Sequence, residues 1–359
     1  MTNPRFHACI IAGGSGERFW PMSRAKTPKH LLRLFSDATL LEETIRRLEG
    51  VVAPENIWIL TNAAQVPGIR AALPDFPAGQ IVSEPAKRDT APAAALATGL
   101  VRARHPDGVV AVLPADALIK DTVRFGTQLL EAFRWAAGEQ AGSPGGLFTF
   151  AIRPSHPATG FGYLELGDQL AEGTDGSQLV QVRRFVEKPD LATAETYLRG
   201  GHHAWNAGMF VWSVASFLHE VDRSAPELAA FVRDFPPGDP AAFLAERFAA
   251  LPKISVDYAV LEKASAVSTV LADFDWDDVG SWTALPSHLT PDGGGNVARG
   301  PVVAVSSANT IAVSNGRLIA LCGVRDLVVV ETADAVLVCH RDAVQDVKKL
   351  LPHLPPELV

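Results

Sequence analysis

The sequence has few cysteines, no long apolar segment and no excess of positive charge. Only three of its 359 residues are cysteines, and they lie far apart at Cys9, Cys322 and Cys339. None is spaced as a metal ligand, and the ten histidines are scattered in the same way. We interpret the cysteines as small buried hydrophobic residues in a reducing compartment.

Targeting and interaction signals are missing as well. Residues 1–7 lack the apolar core of a signal peptide, and no apolar run approaches the length of a membrane span. The net charge of -8 gives no basic field for nucleic acid, so any attraction for anions has to be local. These absences predict a cytoplasmic protein that binds neither membranes nor nucleic acid.

The feature that stands out is a glycine-rich loop directly after an apolar run. Residues 8–12 can form a buried strand, and Gly13, Gly14 and Gly16 then let backbone N–H groups approach a ligand closely. Residues 18–33 carry five lysines and arginines and no acid. The pattern indicates a phosphate-binding loop, and a plain tight turn has equal weight on the pattern alone. A dinucleotide fingerprint is disfavoured because Phe19 stands where its last glycine belongs, and the Gly-Lys-Ser/Thr of a P-loop is absent.

Strands and helices alternate along the first part of the chain. Apolar runs and helical patterns follow one another at 8–12, 39–50, 56–61, 65–73, 80–83, 90–104 and 108–113. This alternation predicts an α/β fold with a Rossmann-like, mixed but mainly parallel sheet and helices on both faces. Some antiparallel strands are expected between residues 147 and 212, and ligands are expected at the carboxyl ends of the strands.

The composition changes at residues 290–296, where proline, aspartate and three glycines indicate a linker or flexible loop. We therefore predict a large catalytic domain over residues 1–289 and a small β-rich domain over 290–359, closed by a terminal helix near 342–351. A β-helix is one form that this domain can take, although no repeat is regular enough to prove it. Its expected role is packing or subunit contact.

Two places combine carboxylates with the predicted ligand edge. Asp116 follows the strand at 108–113, where a helix N-cap is the structural alternative. Residues 273–278 contain four aspartates, which would repel one another unless a cation lies among them; a solvated acidic turn is the alternative there. Oxygen ligands together with a phosphate-binding loop imply Mg²⁺.

Beyond these features, the order of motifs resembles a known family. The loop has the G-G-x-G-x-R pattern at 13–18 and a P-K pair at 28–29. Seven further segments match over nearly the whole chain: 84–92, 113–116, 159–165, 185–189, 205–210, 255–263 and 276–282. In these motifs the chain resembles the mannose-1-phosphate guanylyltransferases, within the nucleotide-diphospho-sugar pyrophosphorylase group.

The resemblance implies that the phosphate of mannose 1-phosphate attacks the α-phosphorus of GTP, which gives GDP-mannose and pyrophosphate. It implies Mg²⁺ as cofactor and the following catalytic residues, of which the two aspartates would share the metal: Arg18, Lys29, Asp116 and Asp278. The nucleotide-binding residues that it implies are Gly13, Gly14, Ser15, Gly16, Glu17, Glu84, Pro85 and Thr90. The sugar-binding residues that it implies are Gly162, Glu187, Lys188 and Asn206.

Alternatives remain at this point. From the residues alone, Glu187 and Lys188 are an exposed ion pair and Asn206 a turn residue. The chain has Arg88-Asp89 where such enzymes often have Lys-Asn, which bears on the residues that contact the base. Separately, the sequence ends at Val359, so no phosphomannose isomerase activity is expected. A sister enzyme for glucose 1-phosphate with UTP or dTTP and a non-catalytic nucleotide-sugar sensor are the competing functions. A homodimer is compatible with the sequence.

Overall fold

The large part of the molecule is built on a nine-stranded mixed sheet. The computed structural model describes residues 2–140, 143 and 145–359. The strands of this sheet are β1 (Phe6–Ile11), β2 (Ile57–Asn62), β3 (Ile81–Glu84), β4 (Val109–Pro114), β5 (Leu147–Ile152), β6 (Tyr163–Glu172), β7 (Gln178–Val186), β8 (His203–Ser213) and β9 (Val267–Leu271). They lie in the order β3-β2-β1-β4-β8-β5-β9-β7-β6. Strands β3, β2, β1 and β4 are parallel, as are β5 and β9, whereas β8 is antiparallel to β4 and β5.

Helices cover both faces of the sheet, which confirms the predicted fold class. They are α1 (Leu40–Arg46), α2 (Val66–Ala72), α3 (Thr90–Arg104), α4 (Thr122–Ala136), α5 (Leu191–Gly200), α6 (Val214–Ser224), α7 (Pro226–Asp234) and α8 (Ala241–Arg247). The alanine-rich α3 packs on one face with α6 and α7, and α1 and α4 pack on the other. The capping box predicted for α1 is present between Thr39 and Glu42. No helix among the described residues is both long and apolar enough to cross a bilayer.

The C-terminal part is a small β structure. Its strands are β10 (Val297–Arg299), β11 (Val302–Val305), β12 (Ile311–Ser314), β13 (Ile319–Cys322), β14 (Leu327–Glu331) and β15 (Val336–His340). Strands β10, β12 and β14 are parallel, β15 joins antiparallel to β14, and β11 pairs parallel with β13 in a second sheet. Stacked parallel strands in two small sheets give this part a β-helix-like form.

The predicted terminal helix is a 3-10 helix, Arg341–Lys349. Its buried residues, Val344 and Val347, are three positions apart, and side chains at i and i+3 lie above one another in a 3-10 helix. Both valines belong to a core shared with the large domain, which includes Phe19, Trp282 and Val328. The C-terminal part therefore packs against the large domain, while a role in subunit contact and the boundary after residue 289 stay predictions.

Candidate active site

A cleft lies at the carboxyl ends of the parallel strands, where the sheet argument predicts the ligand. It consists of three adjoining cavities. The loop cavity is lined by Ser15, Gly16, Glu17, Arg18, Phe19, Lys29, Asp116, Asp278, Gly280 and Lys348. The central cavity includes Gly14, His30, Thr90, Asp116, Gly208 and Asp257. The edge cavity includes Gly13, Gly14, Glu84, Arg88, Thr90 and Lys253. Asp116 joins the first two cavities, and Gly14 and Thr90 join the last two.

The glycine loop is shaped by a close approach between Gly16 and Lys29. Gly16 has φ of 65°, and a Cβ atom there would lie 2.2 Å from Cβ of Lys29. A left-handed backbone and this contact both require glycine. The hydroxyl of Ser23 donates a 2.8 Å hydrogen bond to the carbonyl of Gly16 and holds the turn from its other side. The glycine loop is thus held directly beside the buried Lys29.

Lys29 is the central cation of the loop cavity. It is 7% exposed, and its Nζ lies 3.0 Å from Oδ2 of Asp116 and donates a hydrogen bond to the carbonyl oxygen of Asp278. Arg18 is exposed, with its guanidinium 3.5 Å from the carbonyl oxygen of Gly280. The four predicted catalytic residues, which come from three separate segments of the sequence, therefore line one cavity.

The four aspartates of residues 273–278 have separate roles. Asp273 pairs with Arg124, and Asp275 accepts hydrogen bonds from the N–H groups of residues 120 and 121. Asp277 lies 2.7 Å from His288 Nε2 and accepts a hydrogen bond from the N–H of residue 279. Protein partners therefore account for three of these carboxylates without a shared cation, contrary to the repulsion argument. The fourth carboxylate, Asp278, lines the loop cavity.

The environment of Asp278 suits a cation. Burial, together with the neighbouring carboxylates Asp277 and Asp116, raises its pKa to about 6, although Lys29 and Arg18 act in the opposite direction. A divalent cation would relieve the cost of a buried carboxylate beside a second one. Among the described residues no group of three or more His, Cys, Asp or Glu could hold a metal ion. Two carboxylates completed by substrate phosphates are a usual set for Mg²⁺.

The edge cavity contains a partly buried carboxyl group, Glu84, whose neighbours are held by hydrogen bonds. Burial raises the pKa of Glu84 to about 7. Arg88 donates from Nε to the carbonyl oxygen of Ala249 at 2.9 Å, so this departure from the family pattern has a structural partner. The Thr90 hydroxyl accepts a 2.9 Å hydrogen bond from the N–H of residue 256, which fixes the start of α3. Pro85 is exposed and does not line the three cavities.

The predicted sugar residues Gly162, Glu187, Lys188 and Asn206 form a group with Asp257 beside the central cavity, which we call the carboxylate cluster. A Cβ atom on Gly162 would lie 2.6 Å from Oε2 of Glu187, so glycine is needed there. Glu187 is nearly buried and forms an ion pair with Lys188, in place of the exposed pair expected from the residues alone. Asn206 receives a 2.6 Å hydrogen bond at Oδ1 from Thr149, and its Nδ2 lies 3.3 Å from Asp257.

Several lining residues were missed by the sequence analysis, among them Asp257, His30 and Lys348. Asp257 lies inside the quoted segment 255–263 but was given no role; burial and the neighbouring Glu187 raise its pKa to about 6. His30 follows directly on Lys29, and its pKa falls to about 4 through burial. Lys348 lies in the C-terminal part, and no motif near it links it to the loop cavity.

Comparisons with known proteins agree with this geometry. Residues 7–289 match the family model for nucleotidyl transferases, and residues 300–354 match that for the MannoseP isomerase/GMP-like beta-helix domain. A putative mannose-1-phosphate guanylyltransferase of Vibrio cholerae is 37% identical over 98% of this chain and 75% of its own length. The mannose-1-phosphate guanylyltransferase ManC of Salmonella typhimurium is 38% identical over 98% of this chain and 73% of its own length. A crystal structure described as mannose-1-phosphate geranyltransferase from Thermus thermophilus is 33% identical, with a TM-score of 0.86, and covers 97% of this chain and 99% of its own.

Proposed function

The chain belongs to the nucleotidyl transferase family, among the mannose-1-phosphate guanylyltransferases, and from this premise we propose how its residues make GDP-mannose. It transfers GMP from GTP to mannose 1-phosphate and releases pyrophosphate. The observation that carries the mechanism is the convergence of Arg18, Lys29, Asp116 and Asp278 on the loop cavity. These residues bring charge of both signs to the end of the sheet where the glycine loop begins.

The reaction requires no protein nucleophile. A phosphate oxygen of mannose 1-phosphate attacks the α-phosphorus of GTP in line with the departing pyrophosphate, so catalysis consists of positioning and charge stabilisation. Lys29 contacts the α-phosphoryl oxygens and the sugar phosphate, where negative charge gathers in the transition state. Arg18 and the loop N–H groups hold the β- and γ-phosphates. Asp116 and Asp278 would hold Mg²⁺, which supplies further neutralisation of phosphate oxygens.

Recognition of the two substrates uses the other parts of the cleft. Guanine presents N1–H and the 2-amino group as adjacent donors, and the Glu84 carboxylate in the edge cavity can accept from both, with Thr90 and the glycine loop beside it. Mannose hydroxyls donate to the carboxylates of Glu187 and Asp257, and Asn206 is oriented by Thr149 toward the same place. The homodimer remains a prediction, which analytical ultracentrifugation of the purified protein tests directly.

The decisive test is pyrophosphate release by the purified chain with Mg²⁺. Mannose 1-phosphate and glucose 1-phosphate are each combined with GTP, ATP, UTP, CTP and dTTP. We expect release with mannose 1-phosphate and GTP, and product analysis should show GDP-mannose. Preference for another pair would contradict the assigned specificity while leaving the mechanism in place. Nucleotide binding by folded protein with no release from any pair would favour a non-catalytic sensor.

A further inference from the structure

The C-terminal 3-10 helix Arg341–Lys349 lies directly against the catalytic loop. Val344 and Val347 are buried in the core that also contains Phe19 and Trp282. Nε2 of Gln345 lies 3.5 Å from the hydroxyl of Ser281, close to the metal-binding candidate Asp278. The indole N–H of Trp20, beside the loop, donates to the carbonyl oxygen of residue 358 at 2.8 Å. The helix therefore has a fixed position relative to the loop cavity.

One side chain of this helix, Lys348, lines the loop cavity with Arg18 and Lys29. The adjacent Lys349 pairs with Asp346 at 2.8 Å, whereas Lys348 makes no ion pair within residues 2–140, 143 and 145–359. Lys29 already lies against Asp116 and the carbonyl oxygen of Asp278. Lys348 is thus a cation that lines the cavity and has no carboxylate partner among the described residues.

The balance of charge in the cavity favours an anionic ligand for this lysine. The ionisable lining residues are three carboxylates, Glu17, Asp116 and Asp278, and three cations, Arg18, Lys29 and Lys348. Removal of Lys348 would leave two cations against three carboxylates at the place where a triphosphate binds. An additional lysine beside phosphate oxygens forms charge-assisted hydrogen bonds as a mobile point charge.

We propose that Lys348 binds the terminal phosphates of GTP and the pyrophosphate that leaves, so that the C-terminal domain completes the active site. The inference rests on the proposed function, because it takes GTP as the occupant of the loop cavity. It assigns the domain a direct role in substrate binding in addition to packing. Val347, which is buried in the shared core, immediately precedes the lysine and fixes its position.

Steady-state kinetics in both directions test the proposal. Lys348→Ala should raise KM for GTP and, in the reverse reaction, KM for pyrophosphate by about tenfold, the scale of one hydrogen bond to a charged group. KM for mannose 1-phosphate and for GDP-mannose should change little. Lys348→Arg should restore most of the loss, and the matched control Lys349→Ala should behave as wild type because Lys349 lies outside the cavity lining.

Calorimetric titration with pyrophosphate separates this proposal from the proposed function. About tenfold weaker binding by Lys348→Ala than by Lys349→Ala supports the phosphate contact even if wild type turns over no substrate pair, an outcome that would refute the proposed function alone. Equal pyrophosphate affinity in the two variants would overturn the role of Lys348, as would an equal rise of KM for both forward substrates. Lys348 is exposed, and matching melting temperatures of the two variants would show that folding is unaffected.

Discussion

The loop cavity carries Arg18, Lys29 and Lys348 beside its carboxylates, whereas the carboxylate cluster places Glu187 and Asp257 around Lys188. The first region draws its residues from distant parts of the chain, including the C-terminal domain. The second is assembled from the residue before β6, the residues directly after β7, the first half of β8 and the short helix Asp257–Leu261. Under the proposed mechanism the two regions have separate tasks in one cleft: the loop cavity stabilises charge that moves during the reaction, and the carboxylate cluster accepts hydrogen bonds from neutral hydroxyl groups. Substitution of Lys29 in the first region should act mainly on kcat, and substitutions in the second mainly on KM for the sugar phosphate.

The largest effect is expected from Lys29→Ala. Loss of the buried cation removes one preorganised contact to the transition-state charge, which should lower kcat by about 10²- to 10³-fold. Rapid-quench or steady-state assays of GDP-mannose formation measure the change. Lys26→Ala is the matched control, because Lys26 lies in the same loop but is exposed and outside the cavity lining. Near-normal turnover of Lys29→Ala would remove this lysine from the mechanism.

Asp278→Asn should act on the same cavity through the metal. The amide keeps the shape of the side chain but lacks the negative charge that holds Mg²⁺, so the Mg²⁺ concentration for half-maximal rate should rise by at least about tenfold. The control is Asp273→Asn, since Asp273 belongs to the same acidic segment but pairs with Arg124. A metal titration identical to that of wild type would rule out Asp278 as a ligand.

The carboxylate cluster is tested by Asp257→Ala. A buried carboxylate that accepts from a sugar hydroxyl contributes the energy of a charged hydrogen bond, so KM for mannose 1-phosphate should rise by about 10- to 100-fold. KM for GTP serves as the internal control and should stay within about twofold of wild type. An equal rise of KM for mannose 1-phosphate and KM for GTP would mean that Asp257 does not act specifically on the sugar phosphate. It would contradict the proposed difference between the two regions.

The two regions also differ in how far the sequence reveals them. The loop could be predicted because its glycines, Arg18 and Lys29 lie in one contiguous motif. Among the four aspartates at 273–278, only the family resemblance singled out Asp278 as the one in the cavity. The residue pattern alone could not, because Arg124, His288 and two backbone N–H groups from other segments hold the other three carboxylates. Lys348 was missed for the same reason, since its position follows from the docking of the C-terminal domain.

Most of the fold followed from local pattern. The 15 residues of α3 have the bounds that their alanine-rich sequence predicts, and β1 to β4 begin within two residues of the predicted apolar runs. Strands β9 and β10 were missed, because β9 alternates only weakly in polarity and β10 has three residues. Short strands of this kind are defined by their neighbours in the sheet, which the sequence pattern does not identify.

A smaller effect is expected from pH at the edge cavity. With a pKa of about 7, Glu84 is mostly protonated at pH 6 and mostly ionised at pH 8, and only the ionised form accepts from both guanine donors. The ionised fraction rises about tenfold over this interval, so KM for GTP should fall by up to that factor as pH rises. Because GTP titrates in the same range, Glu84→Gln is the control and should lose the part of the dependence due to Glu84. Parallel pH profiles for the two proteins would show that Glu84 does not bind the base.

The smallest effect concerns the link between the catalytic loop and the C-terminal domain. Arg24 and Asp334 form a 3.1 Å ion pair across this junction, but Asp334 is half exposed, so Asp334→Ala should lower the free energy of unfolding by less than about 1 kcal/mol. Val344→Ala removes buried methyl groups from the core shared with Phe19 and should cost about 2 kcal/mol. Chemical denaturation of both variants measures the difference. If Asp334→Ala lowered the free energy of unfolding more than Val344→Ala, electrostatics rather than apolar packing would hold Lys348 at the loop cavity.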